Sequence, residues 1–91
     1  MTTESEQQEI ISLGREAQAL KNNPALEVCM NSTLEDLFVR WMSTGPDDYN
    51  ERDAIWSTAQ ALKEFRDTLA AAIDSGKLEE KIRDDQQRNY K

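Results

Sequence analysis

The sequence predicts an all-α protein. An antiparallel helical hairpin over residues 24–43 and 48–75 is joined by an N-terminal helix over 4–22, giving a three-helix bundle with a charged, partly mobile C-terminal tail. Three observations carry this. Apolar residues recur at spacings of three, four and seven, which is the helical period. Two strong breaks, Asn22-Asn23-Pro24 and Thr44-Gly45-Pro46-Asp47, cut the chain into three segments. The longest segment, Asp48 to Ser75, contains no Gly, Pro or Val and includes Ala70-Ala71-Ala72, which favours helix.

The first helix opens on Thr3, with Glu6 three residues on, in the capping-box pattern. Ile10, Leu13, Ala17 and Leu20 form a narrow seam, with Ile11 beside it. Gly14 lies inside this helix at a cost of about 1 kcal/mol against Ala. Either it permits a close helix approach or the helix tolerates it, and tolerance is the expectation.

Asn23 is a good N-cap and Pro24 is suited to the first position of the second helix, which should run to Ser43. Its buried stripe is Leu26, Met30, Leu34, Leu37 and Trp41, widened by Phe38 and Met42. Asn31-Ser32-Thr33 weakens the middle, and a fresh cap at Ser32 with Glu35 would kink it there. That triplet also matches a glycosylation acceptor, a chance match in a chain with no export signal.

A connection as short as Thr44–Asp47 forces the second and third helices antiparallel. Asp48 and Glu51 offer a second capping box. Ile55, Ala59, Leu62, Leu69 and Ile73 form the stripe of the third helix, with Trp56, Phe65 and Ala72 on its flanks. Ser75-Gly76-Lys77 reads as a left-handed stop. Residues 1–76 are then one helical domain and 77–91 a tail, with Leu78 and Ile82 supporting at most a short helix. From Asp84 onward only Tyr90 is apolar.

Composition limits what such a domain can do. With 37% hydrophobic and 32% charged residues among 91, the core is small and the monomer marginal unless it finds a partner. Residues 1–76 carry a net charge of −8 and the tail +1. A negative body repels phosphate, so direct nucleic-acid binding is not expected. No stretch of eighteen apolar residues is present, so no membrane span is expected. The polar, acidic N-terminus is unlike a secretory signal, and a cytoplasmic location is expected. Cys29, alone and between Val28 and Met30, should be a packed thiol.

Chemistry finds little support. The chain has no histidine, the commonest general base and metal ligand. The acid pairs Glu35-Asp36, Asp47-Asp48, Glu79-Glu80 and Asp84-Asp85 lack calcium-loop spacing, and neighbours on a helix do not face each other. Neither a phosphate-cradling glycine motif nor a cysteine with a histidine partner occurs. The expectation is no enzyme, no metal, no cofactor and no small-molecule substrate.

The aromatic residues point to protein contacts instead. Phe38 and Trp41 before the turn and Trp56 after it meet in a hairpin, as core packing or as an anchor for a partner. Trp56, beside the seam, is the first candidate to face a partner, with Trp41, Phe65 and Arg66 as further candidates. Arg66 occupies a seam position where an apolar residue belongs, so it should pair with an acid of a neighbouring helix or subunit.

Ala17-x-x-Leu20 before Asn23-Pro24, a helix closing on Trp41-Met42, Pro46-Asp47-Asp48 ahead of Arg52-Asp53-Ala54-Ile55-Trp56, and the ending Leu69…Ile73-Asp74-Ser75-Gly76 come in a suggestive order. Over residues 17–77 the chain resembles small acidic helical-hairpin proteins encoded among the structural genes of tailed bacteriophages. The resemblance implies a role in virion assembly or as a virion component, and it transfers no catalytic residue. The leading expectation is therefore a non-enzymatic interaction module that associates with itself or with other phage structural proteins. The alternative is an acidic, immunity-type inhibitor that mimics DNA and blocks a basic nucleic-acid enzyme. Against it, the charges of the third helix alternate in sign, and Tyr49 and Tyr90 do not form the paired-tyrosine signature of nuclease-immunity proteins.

Overall fold

The computed structural model describes residues 2–89. It is all-helical, with α1 over Glu4–Lys21, α2 over Pro24–Met42 and α3 over Tyr49–Asn89, and no strand among the described residues. Two compact units emerge. One pairs α1 with α3 from Thr68 onward; the other is Asn23–Asp67, holding α2 and the first part of α3.

Local signals place the helix starts. Thr3 Oγ1 accepts from the Glu6 backbone N–H at 3.1 Å, and Asn23 Oδ1 accepts from the Ala25 N–H at 2.9 Å ahead of Pro24. The expected capping box at Asp48 does not form. Asp48 Oδ2 turns back to accept from the Gly45 N–H at 2.7 Å, while Glu51 takes Arg40 across the unit at 3.1 Å. The Asp48 carboxylate therefore closes the Gly45–Asp48 turn rather than capping α3. The fresh helix start considered at Asn31-Ser32-Thr33 does not form. α2 runs through it, with Thr33 Oγ1 donating to the Cys29 carbonyl one turn back at 2.9 Å.

The largest departure lies at Gly76. Instead of a left-handed stop, Gly76 sits inside α3, and no glycine among the described residues has positive φ. The helix continues to Asn89 because its charged continuation has partners on α1. Gln7 Nε2 donates to Glu79 Oε2 at 3.0 Å, Arg15 pairs with Glu80, and Arg83 Nη1 donates to Gln8 Oε1 at 3.3 Å. Residues 77–89 are thus part of a helix pair and not a free tail. Tyr90 and Lys91, which that tail also included, lie outside the described residues.

Gly14 is not merely tolerated either. A Cβ built on it would stand 2.8 Å from Gly76 Cα and 2.9 Å from the Ala72 carbonyl oxygen, so the two backbones meet where side chains are missing. This contact rotates the seam of α1 from the expected one. Ile11, Gly14 and Ala17 are buried, Ile11 completely, while Leu13 and Leu20 are exposed. Ile73 and Gly76 are the buried residues facing them in this unit.

In the Asn23–Asp67 unit the expected stripes are in place. Met30, Leu37 and Ile55 are buried, and Leu26, Leu34, Trp41, Ala59 and Leu62 are half-buried. Each buried aliphatic residue contributes about 1.5–3 kcal/mol. Phe38, Met42, Trp56 and Phe65, meant to widen these stripes, stay exposed, and the first three belong to the surface described next.

Candidate interaction surface

The four residues singled out from the sequence all lie in the Asn23–Asp67 unit, or at its surface, in quite different settings. Trp41 is half-buried and fastened to the turn. The Arg52 guanidinium lies 4.6 Å from its ring centroid. Arg52 Nε donates to Thr44 Oγ1 at 2.8 Å, and the same hydroxyl donates to the Trp41 carbonyl at 2.6 Å. Three side chains thereby fix one another, so Trp41 is a strut of the turn. Arg66 is engaged within the chain as well. Its Nη2 lies 3.6 Å from Glu27 Oε1 and donates to Asn31 Oδ1 at 3.3 Å, supplying the acid partner that its seam position called for.

Trp56 and Phe65 are the open pair. Trp56 is 61% exposed and Phe65 less so. They cannot form one patch. Nine residues at about 100° each place them on opposite sides of α3. Nor does Trp56 join Phe38 in a buried aromatic cluster, since Phe38 is 64% exposed.

Trp56 instead belongs to a surface for which no one residue spoke. Tyr49 and Trp56, seven apart, share one row of α3; Phe38 and Met42, four apart, share one row of α2. All four are exposed, Met42 and Tyr49 to 66% and 67%. The polar contacts show that both rows lie on the same side of the unit. On α2, Phe38 and Met42 each fall about 20° from Asn31, on either side of it, and Arg40 lies about 180° from Asn31. On α3, the rotation that leads from Glu51 to Arg66 leads on to Trp56. Arg40 takes Glu51 on one side, and Asn31 takes Arg66 on the other, so Phe38 and Trp56 both fall on the Arg66 side. The Arg40–Glu51 and Trp41–Arg52 contacts also set the level, bringing Phe38 abreast of residues 53–55 and Met42 abreast of 49–51. Phe38, Met42, Tyr49 and Trp56 therefore make a single exposed apolar patch beside the turn. The signal in the sequence was the pair of spacings, four before the turn and seven after it.

The rest of the molecule offers less. Cys29, expected to be packed, is exposed, because one residue before buried Met30 is about 100° around the helix. In the other unit an open recess of about 1050 Å³ is lined by Thr2, Glu4, Gln7, Gln8 and Arg83 among others. The Arg83 Nε in it is buried without a hydrogen-bond partner, but the Arg83 guanidinium already lies 3.6 Å from Asp84 and 3.9 Å from Glu80. Among the described residues no group of three His, Cys, Asp or Glu side chains is placed to hold a metal, and no helix is long and apolar enough to cross a membrane.

Compared with protein-family models, with curated proteins and with solved structures, the chain matches none.

Proposed function

We propose that the chain is a non-enzymatic protein–protein interaction module that acts as an oligomer in the assembly or structure of a bacteriophage virion, in the cytoplasm of the host or within the particle. In this reading α2 and the first part of α3 work as an antiparallel helical hairpin that presents one apolar side. The observation that carries it is the exposed patch of Phe38, Met42, Tyr49 and Trp56. Aromatic residues and methionine are enriched at interface centres, and contiguous exposed apolar surface marks places where proteins bind. The virion assignment rests on the resemblance of residues 17–77 to small acidic phage proteins.

The test is co-sedimentation of the full chain with the capsid, portal or tail proteins encoded beside it. Binding that weakens in Trp56→Ala, while the melting temperature holds, is the expected result. No binding to any of them, together with salt-sensitive binding to a basic nuclease, would replace this reading with that of an acidic inhibitor. Salt separates the two, because contacts between opposite charges weaken as ionic strength rises whereas apolar contacts do not.

A further inference from the structure

We infer that α1 is a detachable strap: it lifts from the end of α3 as one step, while the Asn23–Asp67 unit stays folded. Lifting it bares Ile11, Ala17 and Ile73, the buried apolar side chains of the α1–α3 pair.

The two units are unequally built. Besides those three, the α1–α3 pair has only Ile10, Leu69 and Ala72 as half-buried apolar residues. The other unit buries Met30, Leu37 and Ile55 and half-buries Leu26, Leu34, Trp41, Ala59 and Leu62. Hydrophobic stabilisation grows with the apolar area removed from water, so the α1–α3 pair has less to lose on opening. At its centre backbone meets backbone at Gly14 and Gly76, and an open recess of about 120 Å³ lies beside them, lined by Ile11 and Ile73 among others. Arg15–Glu80 and Arg83–Gln8 join the two helices, and both contacts are exposed, where water competes for them.

Connectivity makes the opening one-sided. The Asn23–Asp67 unit is one continuous stretch, and its helices are joined by a short turn. The α1–α3 pair brings together two pieces of chain separated by the whole of that stretch. Were Asn23–Asp67 to unfold, the pair would have to close a long flexible loop, and the entropy of closing it would oppose the contact. The pair therefore depends on the other unit, and the other unit does not depend on the pair.

Gly76 eases the step. Glycine is the poorest residue for a helix interior after proline, and what offsets it here is the close approach to Gly14. That offset vanishes when α1 lifts. Ser75-Gly76-Lys77 then has the sequence of a helix stop, and beyond it Leu78 and Ile82 are already exposed.

Native-state hydrogen exchange of the full chain tests this, under conditions where reclosing outpaces exchange. The slowest amides of residues 8–20 and 77–83 should share one protection factor, about tenfold or more below that of the slowest amides of 28–41 and 53–66. Two substitutions separate the steps. Ile55→Val removes a buried methyl group from the Asn23–Asp67 unit and should speed exchange there about fivefold. It should leave residues 8–20 and 77–83 unchanged, because that unit is folded both before and after they open. Gly14→Ala weakens only the closed form, from which every opening starts, so exchange should rise about tenfold in both units alike. Helical content checked by circular dichroism keeps misfolding out of the comparison. A single protection factor throughout overturns the inference, as does an Ile55→Val effect shared equally by both units, or faster exchange in 28–41 than in 8–20.

Discussion

Gly14 and Gly76 touch backbone to backbone: a Cβ on either would fall within 2.9 Å of the other's Cα. Two glycines that each weaken their own helix by about 1 kcal/mol are therefore what lets α1 and the end of α3 pack at all. Gly14→Ala and Gly76→Ala should each destabilise the protein by about 1–2 kcal/mol, the cost of overpacking outweighing the gain in helix propensity. Urea unfolding would measure it. Gly45→Ala is the control, because its Cβ would meet only Asp48 Oδ2 at an ordinary 3.5 Å, and it should fall within about 0.5 kcal/mol of wild type. Alanine that is neutral or stabilising at both Gly14 and Gly76 would refute the close approach.

The Arg52–Thr44–Trp41 unit should behave as one fixture. Arg52→Ala removes a ring contact of about 0.5–1 kcal/mol and a hydrogen bond of about 0.5–1.5 kcal/mol, for a loss of about 1–2 kcal/mol. In a Trp56→Phe background the emission of Trp41 reports the same event, and it should shift to the red. An unchanged spectrum would mean that the guanidinium does not sit on that ring in solution.

Glu27 and Arg66 should couple weakly. Both side chains are well exposed and the ion pair spans 3.6 Å, so a double-mutant cycle to alanine should give less than about 0.5 kcal/mol. A coupling several times larger would show Arg66 to be a structural clamp.

Hydrogen exchange should separate a helix pair from a free tail. Amides from Lys77 to Arg83 should be protected, as their contacts with Gln7, Gln8 and Arg15 require. Complete exchange at the earliest time point would restore a helix that stops at Gly76.

Cys29 should react with a thiol reagent in the folded protein at the rate of an exposed thiol, and Cys29→Ser should change stability by less than about 0.5 kcal/mol. Slow reaction that speeds up with unfolding would place it in a packed environment.

What could be read from the sequence follows the range of the interactions. Thr3 and Asn23 cap their helices through bonds that span two or three residues, and both were legible. So were the stripes of α2 and α3, since Met30, Leu37, Ile55 and Ile73 repeat at the period of the helix they lie on. Asp48 was legible as a helix boundary but not in its bonding, because its carboxylate had two donors within reach and chose the turn. Among the candidate residues, the exposure of Trp56 was legible from its place beside the seam, and its neighbours on the surface were not. Exposure of Phe38 and Met42 depends on where α3 lies against α2, which no local spacing states.

The sequence by itself determined three helices, the two breaks between them and an acidic, histidine-free composition. Tertiary structure decided what the glycines do. A missing Cβ serves equally to let a chain turn left-handed and stop a helix or to let two backbones approach, and the residues on either side look alike in both cases. Gly14 and Gly76 are separated by more than sixty positions, and only their meeting shows which use each one has. That meeting turned the seam of α1 toward Ile11, drew residues 77–89 into α3 and left Leu13 and Leu20 outside.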